Sequence, residues 1–431
     1  MCYAIPGKII DSNGNLASIE YFGEIKKARN DFFELSPGDY VYAQGGFVIQ
    51  KMSRDEALSS LEAWKELFFE LKKIDNRLSR AGPGMGKISK ETARMLNKAR
   101  RGAALTKQEA LALFNIEDAR EINLLFKTAN SVRQKFLSNA CCVHGIIEFS
   151  YWCVNDCLYC GIRSSNKTIN RYRMAPAEII ESVKEAYDLG FKALVLQSGE
   201  DGYYTDETFE RLIRDIRKDF PVLILLSAGE KGKDFYKRAF DAGARGVLFR
   251  FETSQRSLYS TMKPGRDLES RIEALRFFKK TGFLIATGGL LGLPGQKKED
   301  MIEDIFLAKS FGADMYSFGP FIPHPGTPLK EAGIIPADDI LKFIAVTRLI
   351  APDAKILVTT ALETIGADMR RRGLLAGANS FMLNATPETK KMRYEIYKNR
   401  AGLGKDLRVQ VAEALALLKE LGRAPTDLGY N

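Results

Sequence analysis

Short apolar segments alternate with amphipathic segments eight times along the carboxyl-terminal two thirds of the chain. The amphipathic segments, such as residues 176–190 and 270–282, have apolar residues at helical spacing and end in a glycine that suits a helix C-terminus. Eight βα units within about 240 residues predict an α/β chain with a closed, TIM-type (β/α)8 barrel, for which an open six-stranded barrel is the alternative. The last two strands favour closure. The predicted strands are residues 145–152, 192–199, 222–230, 245–253, 283–292, 314–321, 355–361 and 379–384.

Three cysteines follow directly after the first predicted strand, in the run SYWCVNDCLYCGIR. Thiolates are the usual ligands of iron–sulfur clusters. Cys153, Cys157 and Cys160 are close enough in sequence to bind three irons of a 4Fe–4S cubane, which leaves the fourth iron open to a non-protein ligand. A structural zinc site and unrelated core thiols are the alternatives. Zinc needs a fourth ligand, usually Cys or His, and the chain has only two histidines.

The composition of the chain indicates its cellular compartment and the kinds of partner that it would bind. Six cysteines, three of them in one motif, suit a reducing cytoplasm better than a disulfide framework. We find neither an apolar run of about 18 residues nor a secretory signal, so we expect a cytoplasmic protein without a membrane contact. The net charge of +10 is spread over many helices. That distribution favours a solvated surface with a few arginines for anionic ligands, and it disfavours nucleic acid as a partner.

Polar residues and glycines stand at the carboxyl ends of the predicted strands, where α/β barrels carry their active sites. Each of these residues alone would more often be structural, but together they converge on one face of the predicted barrel. They therefore predict a binding site there. The residues are Gln197, Ser198, Gly199 and Glu200 after the second strand, Arg250 and Glu252 after the fourth, Arg271 on the next helix, Gly289 in the fifth, and Thr359 and Thr360 after the seventh.

Longer motifs carry a family resemblance from about residue 104 to residue 430. The chain resembles the radical S-adenosylmethionine (SAM) enzymes and, among them, the HydE family of FeFe-hydrogenase maturases; biotin synthase and methylornithine synthase are wider neighbours. No cysteine follows Cys160, so the second, sulfur-donating cluster of biotin synthase-like enzymes is not expected. The motifs are IIEFSYWCVNDCLYCGIR, NRYRM, LQSGED, LGLPGQ, GPFIPHPGTPL and TTALETI.

The resemblance implies two cofactors, a 4Fe–4S cluster and SAM, and a role for each predicted site residue. The three cysteines would hold the cluster, and arginine forks would orient the SAM carboxylate. No catalytic residue beyond the cofactors is assigned. The SAM site would comprise Tyr159 at the adenine, Arg250, Glu252 and Arg271 at the carboxylate and amino group, with Glu200 and Gly289, and Gln197, Ser198, Thr359 and Thr360 would face the substrate. The implied partners are an organometallic iron or small-molecule substrate, hydrogenase maturation proteins, and an electron donor such as ferredoxin or flavodoxin.

The amino-terminal residues carry a second pattern. The segment MCYAIPGKII, an Asn13–Gly14 turn and SPGDYVYAQGGFVIQK predict a small, OB-like β-barrel, followed by a helix over about 54–73 that Ser53 and Glu56 cap. This segment resembles the HypC/HupF chaperones of nickel–iron hydrogenase maturation. The resemblance implies that Cys2 helps to carry an iron with CO and cyanide ligands. Gln44 stands where that family usually has a histidine, so a single-ligand site and a docking module without iron both stay open.

These patterns predict three parts: a HypC-like β-barrel with its helix (1–75), a linker and helix (76–103), and a HydE-like radical SAM barrel (104–431). We predict an enzyme that cleaves SAM to a 5′-deoxyadenosyl radical in the maturation of an organometallic Fe–CO/CN hydrogenase cofactor. One alternative is a radical SAM enzyme acting on a small amino acid, as methylornithine synthase does. The other is a non-enzymatic assembly scaffold, against which the intact cysteine triplet argues.

Overall fold

The amino-terminal part of the chain forms a small barrel, as predicted. The computed structural model describes residues 5–80, 88–427 and 429, so Cys2 lies outside the described residues. Asn13 ends the first strand, and Gly14, at φ 59°, turns the chain into the second. The barrel closes in the order β1-β2-β3-β5-β4. Its strands are β1 (Gly7–Asn13), β2 (Leu16–Tyr21), β3 (Glu24–Arg29), β4 (Tyr40–Gln44) and β5 (Phe47–Met52).

The helix that follows begins where the sequence predicts and ends later. In α1 (Arg54–Ser79), the Ser53 hydroxyl accepts a hydrogen bond from the backbone N–H of Glu56 and donates one to its carboxylate. The helix continues past residue 73 because side chains on its last turns, including Leu71 and Asp75, are buried against the rest of the protein.

Eight parallel strands close into the predicted larger barrel, in the order β6-β7-β8-β9-β10-β12-β14-β15. The last strand pairs with the first, Ser380 opposite Cys142, so the barrel is closed and not the open six-stranded form. The strands are β6 (Cys142–Ser150), β7 (Ala193–Ser198), β8 (Leu223–Ser227), β9 (Gly246–Leu248), β10 (Leu284–Thr287), β12 (Met315–Tyr316), β14 (Lys355–Val358) and β15 (Ser380–Asn384), with β11 (Leu290–Leu291) and β13 (Gly319–Pro320) forming a separate parallel pair.

Helices surround this barrel and fill the space between the two barrels. Within the part of the chain that the structure describes, no helix is both long and apolar enough to cross a membrane. The helices are α2 (Lys90–Arg100), α3 (Lys107–Phe114), α4 (Ala119–Leu137), α5 (Pro176–Asp188), α6 (Asp206–Asp219), α7 (Lys233–Ala242), α8 (Arg256–Met262), α9 (Leu268–Thr281), α10 (Lys298–Ser310), α11 (Ala337–Ile350), α12 (Thr360–Thr364), α13 (Met369–Leu375), α14 (Glu388–Lys391) and α15 (Leu407–Glu420).

The hairpin between β4 and β5 covers the amino end of the large barrel. Gly45 and Gly46, both in the left-handed region, form its turn. A Cβ atom at Gly45 would lie 2.6 Å from Cδ2 of Leu223, so only glycine fits at this approach. Behind the turn, Phe47 and Ile49 are fully buried in one apolar cluster with strand residues of the large barrel. Those residues are Ala193, Val195, Leu223 and Leu225.

A buried ion network joins the helix of the small barrel to the large one. The Asp75 carboxylate on α1 accepts two hydrogen bonds from the Arg133 guanidinium on α4, at 2.7 and 2.8 Å. Its Oδ1 atom also lies 2.9 Å from Nε of Arg423, which follows α15. All three side chains are almost completely shielded from solvent. Breaking such a network leaves uncompensated buried charge, which is strongly destabilising.

We therefore expect Asp75→Asn to lower the free energy of unfolding by roughly 3–5 kcal/mol, because two buried guanidinium groups lose their counter-ion. Asp188→Asn is the control, since it removes an exposed pair with Lys184 within α5 and should cost no more than about 0.5 kcal/mol. Urea unfolding followed by circular dichroism measures both. Equal losses in the two variants would contradict a structural role for the network.

Candidate active site

A cavity of about 290 Å³ opens at the carboxyl end of the large barrel. Every predicted site residue within the described part of the chain lines it except Gly289. Residues that the sequence places at the ends of different strands therefore converge on one cavity. The predicted residues on its wall are Cys153, Cys157, Tyr159, Cys160, Gln197, Ser198, Glu200, Arg250, Glu252, Arg271, Thr359 and Thr360.

The loop that carries the cysteines is held by backbone hydrogen bonds from its neighbours. The Val154 N–H donates to the Glu200 carbonyl at 3.0 Å, and the Leu158 N–H donates to the Met262 carbonyl at 2.9 Å. Gly199 lies against this loop so closely that a Cβ atom there would be 2.2 Å from the Trp152 carbonyl oxygen. The loop is therefore fixed in place before any metal binds, and its three thiols line a single cavity.

The donor set fits the cluster that the sequence predicts. Three thiols line the cavity, and each can bind a different iron of a cubane. No group of three or more His, Cys, Asp or Glu side chains within residues 5–80, 88–427 and 429 is placed to bind a single metal ion. Burial raises the pKa of all three thiols, that of Cys157 to about 11. Iron must therefore displace protons from these thiols when it binds.

A network of charges surrounds the place predicted for SAM. The Arg271 guanidinium lies 3.0 Å from Glu230 and 3.6 Å from Glu200, and its Nε donates to the Arg250 carbonyl at 2.9 Å. Arg266 lies 3.3 Å from the other oxygen of Glu200. Carboxylates held in this way keep the arginine forks in fixed orientations. An arginine fork so oriented suits the carboxylate of an amino-acid ligand.

Glu252 has an unusual backbone conformation that its neighbour permits. Its φ of 70° is in the left-handed region, which is costly for a residue with a side chain. A Cβ atom at Gly289 would lie 2.1 Å from the Glu252 carbonyl oxygen, so Gly289 allows this close approach from behind and does not line the cavity. The buried Oε2 of Glu252 lies 3.0 Å from Arg250 and accepts no hydrogen bond from the described residues. This oxygen is available to an ammonium group.

The residues predicted to face the substrate occupy two neighbouring parts of the wall. Gln197 donates to the Tyr394 hydroxyl at 3.4 Å, and the Ser198 hydroxyl donates to the Gly199 carbonyl at 2.7 Å. The Thr359 hydroxyl caps α12 by accepting from the Leu362 N–H at 3.3 Å. Thr359 is therefore partly engaged in structure, whereas Thr360 begins the helix on the cavity wall.

Sequence reasoning missed several residues of the cavity. Lys263 is 97% shielded from solvent on its wall, and burial lowers the pKa of its ammonium group. Tyr394 also lines the cavity, as does Arg400, which pairs with the buried Glu148. Lys263 lies directly after a short helix, and no neighbouring residue in the sequence distinguishes it from a surface lysine. Only the tertiary arrangement identifies these residues.

Gly229→Ala tests the charge network, because a Cβ atom at this left-handed position would lie 2.0 Å from Cγ of Glu200. We expect the displaced Glu200 to misplace Arg266 and Arg271, which should raise the Kd for SAM about tenfold, or about 1.4 kcal/mol. Equilibrium dialysis of SAM with cluster-loaded protein measures this. Gly202→Ala is the control, since a Cβ atom there meets nothing within 4 Å. An unchanged Kd in Gly229→Ala would remove Glu200 from the proposed SAM site.

Cluster loading should depend on pH with a defined sign. Because burial raises the pKa of the Cys153, Cys157 and Cys160 thiols, they are protonated near pH 7, and protons compete with iron for them. Loading should therefore become more complete as the pH rises from about 7 to 9, where a larger fraction of the thiols ionises. Iron and sulfide content after anaerobic reconstitution measures it. Loading that falls over this range would contradict the assignment of buried thiols as ligands.

Three family descriptions match the chain in consecutive stretches. The HupF/HypC family matches residues 1–64, the Radical SAM superfamily matches residues 147–308, and the Biotin and Thiamin Synthesis associated domain matches residues 317–422. The first covers the small barrel, and the other two divide the large barrel between them.

Individual proteins match over most of their own length. The chain is 36% identical over 320 residues to the [FeFe] hydrogenase maturase subunit HydE of Thermotoga maritima, covering 74% of this chain and 92% of that protein. It is 32% identical over 280 residues to 3-methylornithine synthase of Methanosarcina acetivorans, covering 64% and 79%. The crystal structure of methylornithine synthase (PylB) superposes with a TM-score of 0.68 at 26% identity, covering 78% and 98%. The maturase HydG from Carboxydothermus hydrogenoformans, at 19% identity and TM-score 0.67 (84% and 83% covered), shares the fold.

Proposed function

Because the chain belongs to the HydE family of radical SAM maturases and carries a HupF/HypC domain, we propose that its substrate is an organometallic iron species bearing CO and cyanide. The chain is a radical SAM enzyme of hydrogenase maturation. The observation that carries the substrate proposal is the fusion itself. Residues 1–64 match the HupF/HypC chaperone family. This domain covers the amino end of the large barrel, and the cysteine triplet lies at the carboxyl end of the same barrel.

The residues on the cavity wall would hold both cofactors. Cys153, Cys157 and Cys160 would bind the 4Fe–4S cluster, and Arg250, Glu252 and Arg271 would bind the amino-acid end of SAM. When bound, the cluster and SAM supply the reductive cleavage that yields methionine and a 5′-deoxyadenosyl radical. Tyr159 packs against Met262, Leu290 and Phe321 beside the cluster loop, and its ring would contact the adenine.

The chain's own contribution is orientation and exclusion of water. The cavity floor is apolar, formed by Ile146, Leu248, Leu357 and Met382. An apolar floor keeps water from a reactive radical and strengthens the polar contacts above it. Gln197, Ser198, Thr359 and Thr360 would orient the substrate from the two sides of the wall. Lys263, which sequence reasoning missed, adds a buried ammonium group that favours the thiolate forms of Cys153 and Cys157.

A radical SAM enzyme acting on a small amino acid is the second candidate, favoured by the likeness to 3-methylornithine synthase. Of these two candidates, the amino-terminal domain favours the maturation function. A HupF/HypC domain has no evident use in an enzyme that synthesises an amino acid. The non-enzymatic scaffold is disfavoured by the fixed cysteine loop and by the charge network around the cavity. The proposal includes two classes of partner, which are hydrogenase maturation proteins and an electron donor.

We expect cluster-loaded protein to form 5′-deoxyadenosine from SAM and dithionite, and Cys157→Ala to reduce this to background, because the cluster loses a ligand. Cys141→Ser is the control, since Cys141 is buried directly before β6 and does not line the cavity. Liquid chromatography measures the product. Activity of Cys157→Ala at the control's level would contradict the cluster assignment.

The substrate is tested separately. A synthetic iron–cysteine complex carrying CO and cyanide should raise 5′-deoxyadenosine formation above the rate seen with SAM alone. Free amino acids should not. The reverse pattern would favour the amino-acid enzyme, and stimulation by neither would set the organometallic substrate aside while leaving the radical SAM activity intact.

A further inference from the structure

Two metal-ligating side chains lie at the opposite end of the strand that leads into the cysteine loop. Cys142 and His144 are two residues apart in β6, so both point to the same face. The Cys142 Sγ lies 3.4 Å from Nε2 of His144, and both side chains are buried. In a tetrahedral site with a metal–sulfur bond of about 2.3 Å and a metal–nitrogen bond of about 2.05 Å, the two ligand atoms are about 3.6 Å apart. The pair has the separation of two ligands on one metal ion.

This face of β6 is the inner face of the barrel. Ile146, two residues further along, lines the floor of the cavity at the carboxyl end, and Val143 and Ile147 on the alternate face pack against the surrounding helices. From residue 142 to residue 150 the strand rises about 26 Å. Cys142 and His144 therefore face the barrel axis well below the cluster loop.

Neighbouring side chains orient the pair. Ser380, opposite Cys142 on β15, places its hydroxyl 3.4 Å from Nδ1 of His144. A partner on Nδ1 fixes the orientation of the imidazole ring, as in metal-binding histidines. From the small barrel, Gln44 donates a hydrogen bond to Sγ of Cys142 at 3.2 Å.

One member of the pair, Cys142, borders a second cavity. Cys142 lines a space of about 600 Å³ between the small barrel, which contributes Glu24 and Lys26, and the amino end of the large barrel, which contributes Asp314 and Lys355. A hydrogen-bonded contact that merely joined the two barrels would need no such space. The cavity leaves room for the non-protein ligands that a metal with two protein ligands requires.

We propose that Cys142 and His144 bind a mononuclear iron(II) ion at the interface of the two barrels, with its other positions taken by non-protein ligands. Thiolate and imidazole together suit such a borderline transition-metal ion. On binding, the thiol proton leaves to solvent and no redox change is needed. The site is independent of the proposed substrate, because it would stand if the carboxyl-end cavity processed an amino acid.

The test uses full-length protein whose cluster was assembled with natural-abundance iron. One equivalent of ⁵⁷Fe(II) is then added anaerobically, so that Mössbauer spectroscopy reports essentially the added iron. We expect a high-spin ferrous signal with sulfur ligation, distinct from solvated iron(II) and from cluster iron. Cys142→Ser and His144→Gln should lose it, and Cys141→Ser, the matched control at the residue directly before the strand, should keep it. A wild-type spectrum with only solvated or cluster iron overturns the site.

Formation of 5′-deoxyadenosine reports whether Cys142→Ser and His144→Gln fold. If they fold poorly, a variant that adds a ligand provides the test. Gln44→His brings a third ligating side chain to within hydrogen-bond distance of Cys142. It should tighten the Kd for iron(II), measured by competition with a chelator, at least tenfold. An unchanged Kd in Gln44→His, or a signal that survives in folded Cys142→Ser, would show that the Gln44, Cys142 and His144 contacts only join the two barrels.

Discussion

Pairing of β15 with β6 closes the large barrel, and both candidate metal sites depend on it. The parallel register sets Ser380 opposite Cys142 and Asn384 opposite Ile146. It thereby decides which residues of β6 face the barrel axis, since a shift of one residue would turn every side chain of the strand to the other face. The same register brings the end of β6 to the carboxyl edge, where the cysteine loop begins. One strand therefore positions a thiol triplet at one end and a thiol–imidazole pair at the other.

Closure of the barrel also creates the surface on which the small barrel sits. The amino ends of the strands would leave an apolar opening, which Phe47 and Ile49 fill. Around this plug the contacts are polar: Arg29 donates to the Gly282 carbonyl at 2.7 Å, and Arg245 pairs with Asp31 at 2.7 Å. An apolar centre with a polar rim is the usual anatomy of a stable interface. The two barrels are therefore held in a fixed relation, which a shared metal site requires.

The sequence predicted the parts of this structure that are local or periodic. Eight strands, the cap at Ser53 and the cysteine loop each have a short-range signal, and each is present. The features that the sequence did not predict depend on contacts between segments that are distant in sequence. Lys263 is on the cavity wall only because α8 ends there, and Gly289 acts from behind Glu252 because the chain after β10 crosses that residue. The adjacent Cys141 and Cys142 look alike in sequence, and only the strand's register separates them.

The backbone of Glu252 is strained, and this strain places its carboxylate in the candidate active site. A left-handed backbone at a residue with a side chain costs on the order of 1–3 kcal/mol, and the surrounding structure must impose it. Here Glu252 is held from both sides, because its N–H donates to Gly288 and its carbonyl accepts from Leu290. The conformation directs a buried carboxylate into the cavity beside Arg250, where one oxygen accepts no hydrogen bond from the described residues. A fold selected only for stability would not keep this strained backbone. The strain is understandable if a cationic ligand binds to the carboxylate that it directs into the cavity.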